Sequence, residues 1–272
     1  MKPRRFDYAR PDTVEEALAL LAEHGEEARI LAGGQSLIPM LNLRLIEASV
    51  IVDIVRIAAL DLIRETDGAI EIGAAVTQNK LMAWPALAAK LPLVAAALPF
   101  VGHFQTRNRG TVCGSIAHAD PSSELPLALA LCGGAVVLRS RHGERVLPAQ
   151  EFHTDMLTTA RAADELVTAV RFPLGAGQGA AFREVARRHG DFAIIAVGAT
   201  LDRGKTLRLG VGGMAGRPAV RSFAADADLA AEVAQWAREL EGYEDLHATA
   251  AMRRDMFCRL APEVVAQARR AS

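Results

Sequence analysis

Two adjacent glycines, Gly33-Gly34, stand between a short apolar run, Ala28 to Leu31, and the helix-like stretch Ser36-Leu37-Ile38-Pro39-Met40-Leu41. Ser49 to Ile54 then reads as a buried returning strand, so the start of the chain is restricted to a β–α–β unit. Glycine admits positive φ and has no β-carbon. An anion can therefore come close to backbone N–H groups, and a helix N-terminus beyond them favours negative charge. The segment reads as a phosphate cradle or as an ordinary tight turn. It is neither a Walker loop, which ends in Gly-Lys-Ser/Thr, nor a Gly-x-Gly-x-x-Gly dinucleotide turn.

A second unusual stretch lies about eighty residues on, from Arg107 to Pro126. It is rich in glycine, hydroxyl and small residues and has no secondary-structure period, so it reads as a functional loop of roughly twenty residues. Gly110 and Gly114 permit close backbone approach. Thr111, Ser115, His118 and Ser123 can bond phosphate or sugar oxygens, and Asp120 and Glu124 can accept from sugar hydroxyls. Together the two stretches could clamp a long, phosphate-bearing cofactor from both sides.

The other elements are read from periodicity and turn chemistry. Residues 12–24 form a helix with Thr13 and Glu16 as capping box and Gly25 as its end. Asp67-Gly68 and His142-Gly143 mark two hairpins, 60–65 with 69–73 and 136–138 with 145–147. Thr77 caps the next helix; residues 78–101, broken by Pro85, Pro92 and Pro99, read as two helices with a bend. Glu124 to Leu131 is a helix and Glu165 to Phe172 a strand. After the linker Gly175 to Gly179, three strands are expected at 181–186, 193–201 and 206–214, with a turn at Asp202-Arg203-Gly204-Lys205. Two helices close the chain, 226–240 and about 245–270, with Pro262 bending or restarting the last. Three parts result: residues 1–55, 56–175 and 176–272.

Composition narrows the function. A net charge of −1 gives no field to recruit nucleic acid or an anionic membrane, and no apolar run has the length of a membrane span. The basic Met1-Lys2-Pro3-Arg4-Arg5-Phe6 has no apolar signal region behind it, which gives a cytoplasmic expectation. The three cysteines, Cys113, Cys132 and Cys258, are isolated, so a zinc or iron–sulfur site held by this chain is not expected.

Four motifs occur in order: Ala32-Gly33-Gly34-Gln35-Ser36-Leu37-Ile38-Pro39, Gly110-Thr111-Val112-Cys113-Gly114-Ser115, Ala119-Asp120-Pro121 and Arg188-His189-Gly190-Asp191-Phe192-Ala193. Over nearly its whole length the chain resembles the FAD-binding medium subunit of the molybdenum hydroxylases, the group of carbon monoxide dehydrogenase medium chains and xanthine dehydrogenase flavin domains. The resemblance implies an α+β architecture: a PCMH-type FAD-binding fold of two α/β subdomains, then a C-terminal domain with a small antiparallel sheet packed on helices. It implies that Leu31, Ala32, Gly33, Gly34, Gln35, Ser36 and Leu37 hold the FAD pyrophosphate. Thr111, Gly114, Ser115, His118, Ser123 and Glu124, with Asp120 nearby, would follow the phosphates and ribityl chain. Leu166 would touch the flavin ring and Arg183 would approach it.

Two positions depart from the family pattern. Gln35 stands where many members carry His, and either donates to a phosphate. Cys113 replaces the first glycine of a Gly-Gly pair and would be strained if that position needed positive φ. The readings open for Cys113 are a tolerated small residue and a redox thiol, the latter needing exposure and a low pKa. His118 has no paired nucleophile and is read as a hydrogen-bonding group, not a general base. Arg187, Arg188 and Asp191 are read as ordering their loop or as a solvated surface pair.

The resemblance also implies partners: a large subunit with a molybdopterin-type molybdenum cofactor and a small subunit with [2Fe–2S] clusters, assembled as a dimer of heterotrimers, a heterohexamer. This chain would pass electrons through FAD to an external acceptor, with no catalytic acid or base of its own. The rival readings are a stand-alone flavin oxidase of the vanillyl-alcohol type and a scaffold whose glycine loops are only turns.

Overall fold

The computed structural model describes residues 2–175, 179–202, 206–224 and 229–271. The first unit contains β1 (Asp7–Ala9), α1 (Val14–His24), β2 (Ala28–Leu31), α2 (Leu37–Asn42) and β3 (Val50–Asp53). Its sheet has the order β1-β3-β2 and is parallel throughout. α1 starts as its sequence requires: the Thr13 hydroxyl accepts from Glu16 N–H, and Val14, Ala17, Leu18 and Leu21 face inward. The Glu16 carboxylate accepts from Asp12 N–H, one residue before the cap.

The second unit begins with β4 (Ile63–Thr66) and β5 (Ala69–Gly73), joined by Asp67 at φ 43° and Gly68 at φ 76°. Positive φ at both turn residues gives the twist a tight hairpin needs. Next come α3 (Gln78–Met82), α4 (Leu87–Lys90), α5 (Pro92–Ala97), α6 (Phe104–Arg109), α7 (Val112–His118) and α8 (Glu124–Leu131). β6 (Ala135–Ser140), β7 (Gly143–Pro148), α9 (Ala149–Phe152), β8 (His153–Asp155), β9 (Thr158–Thr159) and β10 (Leu166–Pro173) complete it. Its five-stranded sheet runs β4-β5-β10-β6-β7 with antiparallel pairing.

Two expectations are corrected in this unit. Residues 78–101 form three short helices and a 3-10 turn, not two helices, because Pro85, Pro92 and Pro99 each restart the backbone. The stretch 107–126 is not an open loop. It contains the end of α6, all of α7 and the start of α8, helices too short to display a full apolar period.

The third unit has the antiparallel order β11-β12-β13-β14, from β11 (Gly179–Val185), β12 (Ile195–Asp202), β13 (Thr206–Gly212) and β14 (Ala219–Ala224). β14 was not among the expected strands. α10 (Leu229–Glu239) and α11 (Ala250–Arg270) cover the sheet. Parts of the expected linker, of the turn after Asp202 and of the start of the 226–240 helix lie outside the described residues. α11 runs as one helix through Pro262, so the proline does not start a new segment. Its buried face continues on both sides of the proline, with Arg253 and Phe257 before it and Val264, Val265 and Ala268 after it. Burial of that continuous face offsets the roughly 3 kcal/mol of an interior proline.

α8 joins the units. All eight of its residues are buried, which suits a helix that is apolar on every side after its first residue, Glu124. One side faces the core shared by the first two units, and the other meets glycines of the third sheet. A β-carbon on Gly198 would lie 2.9 Å from Leu131 Cδ2, and one on Gly210 would lie 3.0 Å from Leu127 Cδ1. The close packing predicts that Leu127→Ala lowers unfolding stability by about 2–5 kcal/mol, read from the urea midpoint. A fall below about 0.5 kcal/mol would show that α8 does not couple the two cores.

Candidate functional site

A cleft of about 720 Å³ lies where the first unit meets the second. One wall is the turn between β2 and α2. Gly34 adopts φ +72°, as glycine allows. Gly33 is constrained differently: a β-carbon there would lie 2.2 Å from the Arg109 carbonyl oxygen and 2.6 Å from Gly110 Cα. The missing side chain thus lets the two glycine-bearing segments touch. Gln35 Nε2 donates to the Gly33 carbonyl at 3.2 Å. Among the described residues, the N–H groups of Gly33 to Leu37 have no acceptor in the chain. Five neighbouring amides without partners on a cleft wall form a cradle for an anion.

The opposite wall comes from α6, α7 and the start of α8. Gln78 N–H donates to Gly110 O at 2.8 Å, and Val112 N–H to Val76 O at 3.1 Å, tying this wall to the strand end at β5. Thr111 caps α7 by accepting from Gly114 N–H at 3.0 Å. A β-carbon on Gly114 would meet that hydroxyl at 2.7 Å, so glycine here serves the cap. Cys113 lies within α7, outside the positive-φ residues, so it carries no backbone strain. Its thiol is buried and donates to Ile72 O at 3.4 Å, and burial raises its pKa far above the ordinary thiol value. Both properties exclude an exposed, low-pKa redox thiol.

The electrostatics distinguish the two acidic residues of the loop. Glu124, 4% exposed, is pushed up to about 7 by burial, with a further rise from the Asp120 charge. Asp120 instead accepts from Ser122 N–H at 2.8 Å. Burial lowers the His118 pKa, and the Asp120 charge partly opposes this, so its imidazole is neutral at pH 7. Glu184 on β11 is raised to about 8 by burial and by the charge of Glu124, and its Oε2 has no partner.

The cleft brings together Ala32, Gly33, Gly34, Gln35, Ser36, Leu37, Thr111, Gly114, Ser115, His118, Ser123, Glu124 and Leu166. Leu31, Asp120 and Arg183 are not in its wall. Leu31 ends β2, and Asp120 borders a neighbouring cavity. Arg183 is ion-paired with Glu263 of α11, so its charge is engaged on the outer side of the third sheet. The cleft is also lined by Gln78 and Arg161, which the sequence did not single out, and by Phe192 of the fourth motif, which was not expected at the ligand. Gln78 is 4% exposed and its Oε1 has no partner. Arg161 donates to the carbonyls of Ala162 and Glu165 at 2.8 and 2.7 Å. Phe192, 57% exposed, comes after the Gly190-Asp191 pair on the β11–β12 connection. That motif was visible in the sequence, but its reach to this cleft was not. Among the described residues no three His, Cys, Asp or Glu side chains converge as a metal site, and no helix is long and apolar enough to cross a membrane.

Residues 4–175 match the family model described as the FAD binding domain in molybdopterin dehydrogenase. The chain is 45% identical over 195 residues to the 6-hydroxypseudooxynicotine dehydrogenase complex subunit alpha of Paenarthrobacter nicotinovorans. That match covers 71% of this chain and 66% of the relative, just under two thirds of its length. Identity to the nicotine 6-hydroxylase medium subunit of the same organism is 34% over 281 residues, covering 98% of this chain and 99% of that one. Among solved structures, carbon monoxide dehydrogenase from Hydrogenophaga pseudoflava superposes with a TM-score of 0.92 at 31% identity, over 100% of this chain and 99% of the other.

The Glu124 carboxyl makes a testable statement about pH. Its folded pKa of about 7 lies above the ordinary 4.5, so the stability it contributes is complete below about pH 4.5 and is lost as pH rises through 7. The displacement from 4.5 to about 7 corresponds to about 3 kcal/mol. Urea midpoints of the flavin-free chain should therefore fall between pH 5 and pH 8, and Glu124→Gln should flatten that slope. Parallel slopes for the two proteins would show that Glu124 ionises as freely when folded as when unfolded.

Proposed function

The chain belongs to the FAD-binding family of molybdopterin dehydrogenases, and from that membership we propose that it relays electrons within a three-subunit molybdenum hydroxylase. It is a FAD-binding oxidoreductase subunit. In the proposal, electrons arrive from [2Fe–2S] clusters on a small partner subunit and leave through FAD for an external acceptor. A large partner subunit with a molybdopterin-type cofactor oxidises the substrate. The assembly is a dimer of such heterotrimers in the cytoplasm. The names of the relatives, a complex subunit and a medium subunit, support a multi-subunit setting and do not favour the stand-alone oxidase.

The observation that carries the reading is the run of unpartnered amides from Gly33 to Leu37 beside the Thr111 wall. A pyrophosphate supplies the acceptors that these N–H groups lack. Ser36 makes no capping bond of its own, so its hydroxyl is free to join them. Ser115, Ser123, neutral His118 and Glu124 offer hydrogen bonds to sugar or ribityl hydroxyls. Below about pH 7 the Glu124 carboxyl carries its proton and donates as well as accepts. The buried Gln78 Oε1 is an acceptor that a bound hydroxyl or ring N–H would satisfy. Leu166, Val167, Ala74 and Ile54 supply an apolar wall that keeps water away. FAD, when bound, supplies the exchange of two electrons, and this chain fixes its position and surroundings.

Gly33→Ala tests the assignment. The added β-carbon would meet the Arg109 carbonyl at 2.2 Å and push the two walls apart. FAD content of the purified complex should fall, with affinity reduced at least about tenfold. Gly34→Val, strained at φ +72°, should do the same while cooperative unfolding is retained. Unchanged flavin content in both variants would remove this turn from the FAD site.

A further inference from the structure

A second cavity, of about 740 Å³, opens beside the first. Leu157, Gly190, Asp191 and Phe192 line both cavities, so they form a common wall. Leu157 holds φ +53°, unusual for a leucine, and is 50% exposed; its N–H donates to the Ala119 carbonyl at 3.0 Å. Ala119 is itself left-handed, at φ 55°. Two non-glycine residues in the left-handed region thus hold an apolar side chain at the boundary between the cavities.

The second cavity is tied together by one buried cation. Arg253 on α11 is 1% exposed. It donates to the Ile194 carbonyl, to Gly213 O at 2.9 Å and to Asp245 at 2.6 Å, and its guanidinium lies 4.2 Å from the Tyr243 ring centroid. Ile194, Tyr243 and Asp245 are all wall residues. The Tyr243 hydroxyl lies 3.2 Å from Ser122 Oγ on the opposite wall, and Gly213 N–H donates to Pro121 O at 2.9 Å. Four separate parts of the chain are therefore fixed around this space: Pro121-Ser122, Ile194, Gly213 and the stretch from Tyr243 to Arg253.

Its charge differs from that of the cradle. Asp120, Asp191 and Glu244 face it, while Asp245 is neutralised by Arg253. Arg187 and His247 are the basic groups of the wall. A phosphate-bearing dinucleotide would bring its anionic centre toward an excess of carboxylates, whereas Phe192, Tyr243, Leu157 and Met156 offer apolar surface to a ring.

We propose that this second cavity receives the external electron acceptor, and that the acceptor is an uncharged planar compound of the quinone class, with planar cations able to take its place. The proposal rests on the reading that the adjoining cleft holds FAD. A quinone taken here gains two electrons and two protons from the reduced flavin and leaves as the hydroquinone, with FAD regenerated. The common wall brings the acceptor beside the FAD cleft, and the carboxylates disfavour anionic compounds.

The test uses the FAD-loaded complex, with flavin reduced photochemically so that no substrate need be known. Flavin reoxidation is followed after mixing with methylene blue (a cation), menadione (uncharged), ferricyanide or NAD (anionic). Binding of methylene blue to the oxidised complex is measured separately by equilibrium dialysis, with menadione as competitor. Glu244→Lys should weaken dye binding and slow reoxidation by methylene blue about fivefold at low salt, and should speed reoxidation by ferricyanide. Menadione rates should stay within about twofold. The differences should collapse near 0.5 M salt, and Glu244→Gln should give half the effect in logarithmic terms. FAD content should match the wild type throughout.

Equal responses of all acceptors to Glu244→Lys would overturn the proposal. So would the absence of methylene blue binding, dye binding that menadione does not displace, or NAD reoxidising the flavin faster than menadione does. A wild-type complex without FAD would instead refute the reading of the cleft and is told apart by its missing flavin absorbance.

Discussion

The contact between Gly33 and the Arg109–Gly110 backbone is the constraint on which the rest of the site depends. With no β-carbon at Gly33, the parallel sheet of the first unit comes directly against the α6–α7 connection of the second. That contact leaves the turn's amides on the cleft wall and not in a ladder. The opposite wall is anchored in its turn: Gln78 N–H and Val112 N–H bond across to the carbonyls of Gly110 and Val76, and Thr111 closes the first turn of α7. Each wall is thus positioned by backbone bonds, and its side chains are left for the ligand. A site built in this way is organised before the ligand arrives, which reduces the ordering cost of binding.

The large elements were legible because their local chemistry agrees with their tertiary role. Thr13 ahead of α1, Asp67-Gly68 between β4 and β5, and the apolar run Leu125 to Leu131 of α8 each specify one local structure, and the fold uses it. α6 and α7 were hidden because six or seven residues show too little period, and only Val112, Cys113 and Ile116 of α7 are buried. At Pro262 the helix does not restart, because a strong local breaker is overridden by a buried face that continues past it.

The site was legible where chemistry is local and obscure where it depends on contact. Gly34 needs positive φ, which a glycine announces. Gly33 needs a neighbour's carbonyl oxygen to explain it, and that neighbour is more than seventy residues away in the chain. Gln78 read only as a helix residue after a Thr cap, yet its side chain ends buried beside Gly110 with an unpaired oxygen. Arg183, expected near the flavin from its place early in a strand, is ion-paired with Glu263 of α11 and lies outside the lining of the cleft.

The third unit takes part in the site through a motif that its sequence shows, but whose reach to the cleft only the fold reveals. Its sheet delivers the Gly190-Asp191-Phe192 segment to the cleft, and its last helix secures that segment through Arg253 and the Ile194 carbonyl. A buried guanidinium requires several acceptors to offset its desolvation; the two terminal nitrogens of Arg253 find them on the pieces of chain that enclose the second cavity, while its Nε is buried without one. Desolvation therefore enforces geometry: any displacement of Ile194, Gly213 or Asp245 leaves a buried donor short of a partner. Glu124 and Glu184 add the opposite constraint, since their carboxyls are raised to about 7 and about 8 and are neutral together only at lower pH. The joint between the first two units and the third is thus held by a buried guanidinium and bordered by two acids whose carboxyls are raised by burial.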